Sequence, residues 1–304
     1  MHFLALDIFS MAYICTVMDR KTFLRNSLLG AAAAAGGTAA ARLLNEPAPE
    51  TVGFEHLPTN TPRIMSNMVL HPAATRGHAD HGWLDSWHTF SFANYYDPER
   101  MHFGVLRVLN DDTVAPGMGF NTHPHENMEI VSIPLEGDLE HTDSMGNTQV
   151  IRHGDIQVMS AGSGITHSEK NRNHDQRTRF LQIWVFPNKR NVKPRYDQLT
   201  LDPKDREGRF QQVLSPDPND EGVWVHQDAW FHLGKFPAGE KANYTVKRPG
   251  NGVYAFVIEG SATVQGQPLG RRDGLGVWDV EQLDVTFGPE GGELLLMDVP
   301  MTLS

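Results

Sequence analysis

The chain has 304 residues, enough for one large domain or two of ordinary size around a substantial core. Its 37 acidic residues outnumber 26 basic ones, a formal net charge of -11, and no basic run is long enough to track a phosphate backbone, so a nucleic-acid partner is excluded. One cysteine, Cys15, excludes disulfide frameworks, thiolate zinc sites and CxxC redox motifs, and leaves the 15 histidines as the abundant nitrogen ligands.

Residues 1–44 are expected to precede the fold. MDRKTFLRNS (18–27) supplies positive charge, and LLGAAAAAGGTAAA (28–41) is a short apolar stretch that closes on small residues. That order is a signal peptide, and its apolar part is too short to span a bilayer. No stable membrane insertion is expected. Arg20-Lys21-Thr22-Phe23-Leu24-Arg25 resembles a twin-arginine export signal, with Lys21 where the second arginine is usual. Periplasmic export is therefore expected; the alternative is a cytoplasmic protein with an Ala-rich tail. The preceding MHFLALDIFSMAYICTV has no Lys or Arg, so Met18 competes with Met1 as the start. NEPAPETVGFEHLPTNTP (45–62) reads as a Pro-rich linker.

From residue 63 onward the pattern is strand, turn, strand. FGVLRVLND (103–111), MEIVSIPLEG (128–137), DIQVMSAG (155–162) and RFLQIWVFP (179–187) are β-rich and bounded by turn residues. AWFHLGKF (229–236), GVYAFVIEGSATVQG (252–266), GLGVWDV (274–280) and GELLLMDVP (292–300) follow. No long amphipathic helix interrupts them. The two halves echo one another: PLEGDLEHTDSMGN (134–147) aligns with VIEGSATVQGQPLG (257–270) on a shared Glu-Gly, and each leads to a Gly turn and another strand. The expectation is an all-β chain of two tandem jelly-roll barrels, residues 63–192 and 193–304.

The chemistry concentrates in the first half. In GFNTHPHENMEI (119–130), His123 and His125 flank Pro124. Residues i and i+2 of a strand share a face, so both imidazoles aim together. Buried, they need partners, either a metal or hydrogen bonds. GSGITHSEKN (162–171) repeats the spacing with His167 and Glu169. Gly117 and Gly154 stand as turn residues at strand starts ahead of the two motifs. This is the two-part cupin pattern. Glu129 and Glu169 compete for the acidic ligand position.

RGHADHGWLDSWHTFSFANYYDPERMHFGVLRVLNDD (76–112), THPHENMEIVSIPLEGDLEHTDSMGN (122–147) and GDIQVMSAGSGITHSEKN (154–171) closely resemble the pirin family, and within it the bacterial quercetinase-type members. The likeness continues through LQIWVFP, PRYDQ and VLSPD, and more loosely through DGLGVWD and LLLMDVP. It implies a metal held by three histidines and the glutamate of the His-Ser-Glu motif: His123, His125, His167 and Glu169. Glu129 is then a supporting acid. Glu126 stands where related sequences usually carry a basic residue. The resemblance implies Fe(II) first; three imidazoles and a carboxylate also accept Ni, Co, Mn, Cu or Zn. Four protein ligands on an octahedral ion leave up to two positions for substrate or dioxygen.

The resemblance further implies a dioxygenase that opens a flavonol such as quercetin and releases carbon monoxide, with Glu169 as general base. The alternative is a metal-containing binding or regulatory protein without turnover. A monomer is expected. The second half has no HxH: Val246, Arg248, Phe287 and Pro289 fall at the corresponding offsets, so a barrel without metal ligands is expected there. His78, His81 and His88 fit no single strand face and are expected to make structural hydrogen bonds. HTDSMGN (141–147) reads as a hairpin turn, not a catalytic triad. Phe103, Met128, Met159, Phe180 and Trp184 are expected to line the first barrel. The signal reading places the mature N-terminus at residues 40–45, which mass spectrometry of the exported protein checks; an intact Met1 or Met18 in a cytoplasmic protein overturns it.

Overall fold

The computed structural model describes residues 67–303; the expected signal segment and linker lie outside the described residues. Each of the eight β-rich runs overlaps an antiparallel strand, and the helical pieces among the described residues are the 3-10 turns Ala73–Thr75 and Pro203–Arg206. Among the described residues no helix is long and apolar enough to cross a membrane.

The strands form three sheets. A seven-stranded sheet runs Arg195–Thr200, Asp155–Ser160, Glu129–Glu136, Thr178–Val185, Leu106–Val114, Leu84–His88 and Gly77–Asp80. A four-stranded sheet, Gly119–His125, Ile165–Asn171, Leu139–Asp143 and Thr148–Ile151, accompanies it in the first half of the chain. The nine-stranded sheet of the second half is built on two long strands, Asn251–Val264 and Gln282–Pro300.

The shared Glu-Gly has one physical basis in both halves. Gly137 and Gly260 both adopt positive φ, +72° and +74°, a region that costs other residues a steric clash. In the first half the chain breaks there between Glu129–Glu136 and Leu139–Asp143. In the second half the strand continues through Gly260 with a register shift, so the expected turn is a bulge. A Cβ on Gly260 would collide with the Gly291 carbonyl.

Sheet faces decide where the cores lie. Along Thr178–Val185, Leu181, Ile183 and Val185 point out of the first barrel, while Gln182 and Trp184 point into its cavity. Leu181, Ile183, Val131 and Ile133 join Phe231, Leu233, Phe256 and Met297 of the nine-stranded sheet in the largest apolar cluster. Phe103, expected as barrel lining, belongs to this inter-sheet core, with its ring 5.5 Å from Tyr254. The reason is its position in a bridge before Leu106, on the outer side of the sheet. Met128 and Met159 pack beside Trp184, and Phe180 packs with Leu84, Val114, Leu139 and Ile151.

Strand pairing crosses the boundary between residues 192 and 193. Met68–His71 adds to the second-half sheet by pairing with Gly274–Val277. Arg195–Thr200 adds to the first-half sheet by pairing with Asp155–Ser160. Each covers a strand edge that would otherwise expose unpaired backbone groups.

One buried ion pair links the two halves. Arg272 Nε donates to Asp111 Oδ2 at 2.8 Å, and Arg76 Nη2 lies 3.7 Å from the same oxygen. Asp111 alternates with Asn110 and Asp112, which line the cavity in the first barrel, so the carboxylate faces the second half instead. Asp111→Ala removes the carboxylate shared by two buried guanidinium groups, leaving Arg272 with the Ile258 carbonyl and the more distant Glu259, and is expected to lower the unfolding free energy by about 3–5 kcal/mol, read by urea denaturation.

Candidate metal centre

His123 and His125 lie on Gly119–His125, and His167 and Glu169 on the neighbouring Ile165–Asn171. His167 pairs directly with His123, and Ile165 with His125. Alternation on two adjacent strands therefore brings the three imidazoles together, as the spacing predicts. Their ring centroids are 4.5 Å (His123–His167), 4.9 Å (His123–His125) and 4.9 Å (His125–His167) apart. One nitrogen of each lies within 4.8 Å of the other two, a separation that one ion can bridge.

The nitrogens are in the right state to ligate. The carbonyl of Asn121 accepts from His123 Nδ1 at 2.8 Å, which leaves Nε2 with a free lone pair. His125 is buried with neither nitrogen partnered, and His167 Nε2 is also buried and unpartnered. Burial, with the neighbouring His123, pushes His125 down to about 3. Burial, then His123, His125 and His141, holds His167 well below the usual imidazole range. Both are neutral at physiological pH, the form that binds metal. Orphaned buried nitrogens are costly without a partner, and a divalent cation supplies one. The residues present fit the group.

Glu169 occupies a different place from the three imidazoles. Its carboxylate accepts from Ser132 Oγ at 3.1 Å and from Gln182 Nε2 at 2.6 Å. It groups within 4.8 Å with His167 and His141, and does not join the His123–His125–His167 group at that separation. A register shift falls between His167 and Glu169, where the partner strand carries an extra residue, so Glu169 sits opposite Phe120 rather than opposite a histidine.

His141 escaped the sequence reading. It is fully buried, with its Nδ1 3.4 Å from His167 Nδ1 and its Nε2 3.2 Å from Asp143 Oδ2. The i, i+2 rule applied to His-Pro-His also applies to His141-Thr142-Asp143 and would have found the pair. The turn reading of that segment stands: Asp143 Oδ1 accepts from the Met145 and Asn147 amides across the hairpin tip.

Glu129 faces elsewhere. Ser160 donates to its carboxylate at 2.7 Å, and burial raises it to about 7 against that bond, the His226 backbone and Arg195. It belongs to neither candidate ligand group among the described residues. Glu126 is exposed, accepts from Asn127 Nδ2 at 3.0 Å, and is not among the residues lining the cavity.

His123 and His125 open on a cavity of about 310 Å³, the size of a small-molecule site. Phe92, Tyr95, Phe120 and Trp184 give it aromatic walls. His78, His81 and His88 also line it, so their role is larger than expected. His78 and His88 do make structural bonds, to Asp85 and Ser86, both at 2.8 Å, and His78 stacks on Trp87 across the strand pair. The second barrel is packed instead with Phe236, Val253, Val257, Leu283, Phe287 and Leu296.

Residues 69–185 match the Pirin family model, and residues 212–299 match the model for the quercetinase C-terminal cupin domain. The chain is 44% identical over 233 residues to a quercetin 2,3-dioxygenase of Escherichia coli K12, covering 77% of this chain and 99% of that protein. The chain belongs to the pirin family. Its two barrels are the N-terminal and C-terminal cupin domains of that family. The chain is also 44% identical over 224 residues to a putative quercetin 2,3-dioxygenase of Pseudomonas aeruginosa, covering 73% of this chain and 95% of that protein. The crystal structure of the bacterial pirin YhhW from Escherichia coli in complex with nickel(II) aligns with a TM-score of 0.72 at 42% identity, covering 77% of this chain and 99% of that one.

His123→Ala and His167→Ala are each expected to cut the metal content of purified protein to well under half, by elemental analysis, with the fold kept by the apolar cores. Glu129→Gln is expected to leave it unchanged. Full occupancy in both histidine variants places the ligands elsewhere.

Proposed function

We propose that this pirin is a metal-dependent dioxygenase that acts on a flavonol such as quercetin. The observation that carries the reading is the meeting of three imidazoles, each with a nitrogen within 4.8 Å of the others and two of them buried with unpartnered nitrogens, beside an aromatic-walled cavity that Glu169 also lines. The quercetin 2,3-dioxygenase names of relatives at 44% identity support it.

His123, His125 and His167 would hold the metal, with Glu169 as fourth ligand. Fe(II) is the first choice from the family resemblance, while the donor set also accepts Ni, Co, Mn, Cu or Zn; nickel(II) is the ion in the YhhW complex. Bound there, such an ion supplies a Lewis acid that stabilises the flavonol oxyanion and a meeting point for dioxygen.

The remaining steps belong to the chain. The aromatic walls take the planar substrate and exclude water from its reacting edge. Glu169 removes the proton from the 3-hydroxyl as general base. Ser132 and Gln182 each donate to one oxygen of its carboxylate, which fixes its direction. His141 and Asp143 stand behind His167 and hold its ring in place.

Glu169→Gln keeps the shape and removes most of the basicity. At matched metal loading, flavonol turnover by oxygen uptake is expected to fall about 10²-fold or more. Wild-type protein that carries metal but consumes no oxygen with any flavonol of a panel sinks the enzyme reading and leaves a metal-containing binding or regulatory protein.

A further inference from the structure

A row of buried polar side chains runs across five strands, and three of them, His88, Asn110 and Gln182, line the cavity. His88 pairs with Asn110, Asn110 with Gln182, Gln182 with Ser132, and Ser132 with Gln157. Directly opposed residues of antiparallel strands share a face, so these side chains form one line. The Gln182 and Ser132 part of the line is committed to Glu169. The His88 and Asn110 end has no such task. Asn110 stands directly opposite Gln182, and His88 lies one strand farther out, about 10 Å from Gln182.

That end carries two buried atoms without partners, His88 Nδ1 and Asn110 Oδ1. His88 is 3% and Asn110 2% exposed, and both line the cavity. Their chemistry follows from their neighbours. Ser86 Oγ donates its proton to Asp112 and therefore accepts from His88 Nε2 at 2.8 Å. The His88 proton is thus on Nε2, and Nδ1 presents a bare lone pair. Burial, with His78, Arg76 and His81, pulls His88 down to about 4, so the ring is neutral. Asn110 Oδ1 is an acceptor as well. Two adjacent acceptors require a donor from the ligand. Phe92 packs edge-on between His88 and Trp184, with centroids 5.2 and 5.4 Å away, and gives the same end a flat aromatic wall.

We propose that His88 Nδ1 and Asn110 Oδ1 form a second subsite that accepts hydrogen bonds from hydroxyl groups on a ring of the substrate remote from the imidazole cluster, and so selects polyhydroxylated flavonols. The inference rests on the flavonol reading above and adds the part of the molecule that is read. An apolar pocket alone favours the less hydroxylated ligand; unpaired buried acceptors reverse that order.

Quercetin and 3,5-dihydroxyflavone test it, because they share the 3-hydroxyl, the 4-carbonyl and the 5-hydroxyl beside it, and differ only in the remote hydroxyls. Equilibrium titration of the metal-loaded wild type is expected to find quercetin bound about tenfold tighter or more, the worth of one to two hydrogen bonds. Asn110→Leu keeps the volume and removes the acceptor; it is expected to bring that ratio below about threefold. Its melting temperature is expected at or above that of the wild type, because an orphaned buried acceptor is gone. His88→Phe serves the same purpose should Asn110→Leu not fold. Equal binding of the two flavonols by the wild type overturns the subsite and leaves the flavonol reading intact. A preference for quercetin that survives both variants also overturns it. Binding of neither flavonol overturns the flavonol reading together with the subsite.

Discussion

Three imidazoles packed side by side, two of them buried, are the constraint around which the first barrel is arranged. Without a cation their lone pairs have no acceptable partner in a low-dielectric interior. The strand pair that carries them must keep His167 opposite His123, since a slip of one residue would turn every ligand to the other face. The surrounding side chains follow from that requirement. Asn121 fixes one ring, His141 backs another, and Ser132 and Gln182 hold the carboxylate beside them.

The seven-stranded sheet meets two demands at once. One face is polar and serves the cavity; the other is apolar and meets the second barrel. Neither face is exposed to solvent over its central strands, where Leu181, Ile183 and Val185 are buried on one side and Phe180 and Gln182 on the other. The second barrel, filled with apolar side chains, acts as a wall for this sheet. It stiffens the floor on which Gln182 and Asn110 stand.

The ligand strands were readable because i, i+2 spacing is a local rule that survives any tertiary context. The same rule would have found His141 with Asp143, but the turn at Ser144 drew the reading to the hairpin tip. Glu169 shares a strand with His167, as the spacing implies, while its hydrogen bonds stay hidden in the sequence because Ser132 and Gln182 lie on other strands. The inter-sheet core was not visible either. RFLQIWVFP is nearly continuous in apolar residues, as a strand buried on both faces must be, so alternation could not say which side met the cavity. Phe103 lies in that core too, because its bridge to Leu106 precedes the strand and sets it on the outer side, outside the alternation of that strand. The short strand Met68–His71 had no readable partner, because pairing across the whole chain leaves no local trace.

That short strand has a consequence for synthesis. Its partner, Gly274–Val277, emerges from the ribosome roughly two hundred residues later. The chain therefore carries an unsatisfied β-edge through most of its translation, with His71 waiting for Tyr254 and Ala73 for Asp273. Arg195–Thr200, by contrast, meets Asp155–Ser160 soon after it is made. The first barrel can close early, whereas Met68–His71 must wait for a strand near the far end of the chain. A pause or truncation late in the message leaves that segment without its berth, and quality-control proteases would meet it as a loose end.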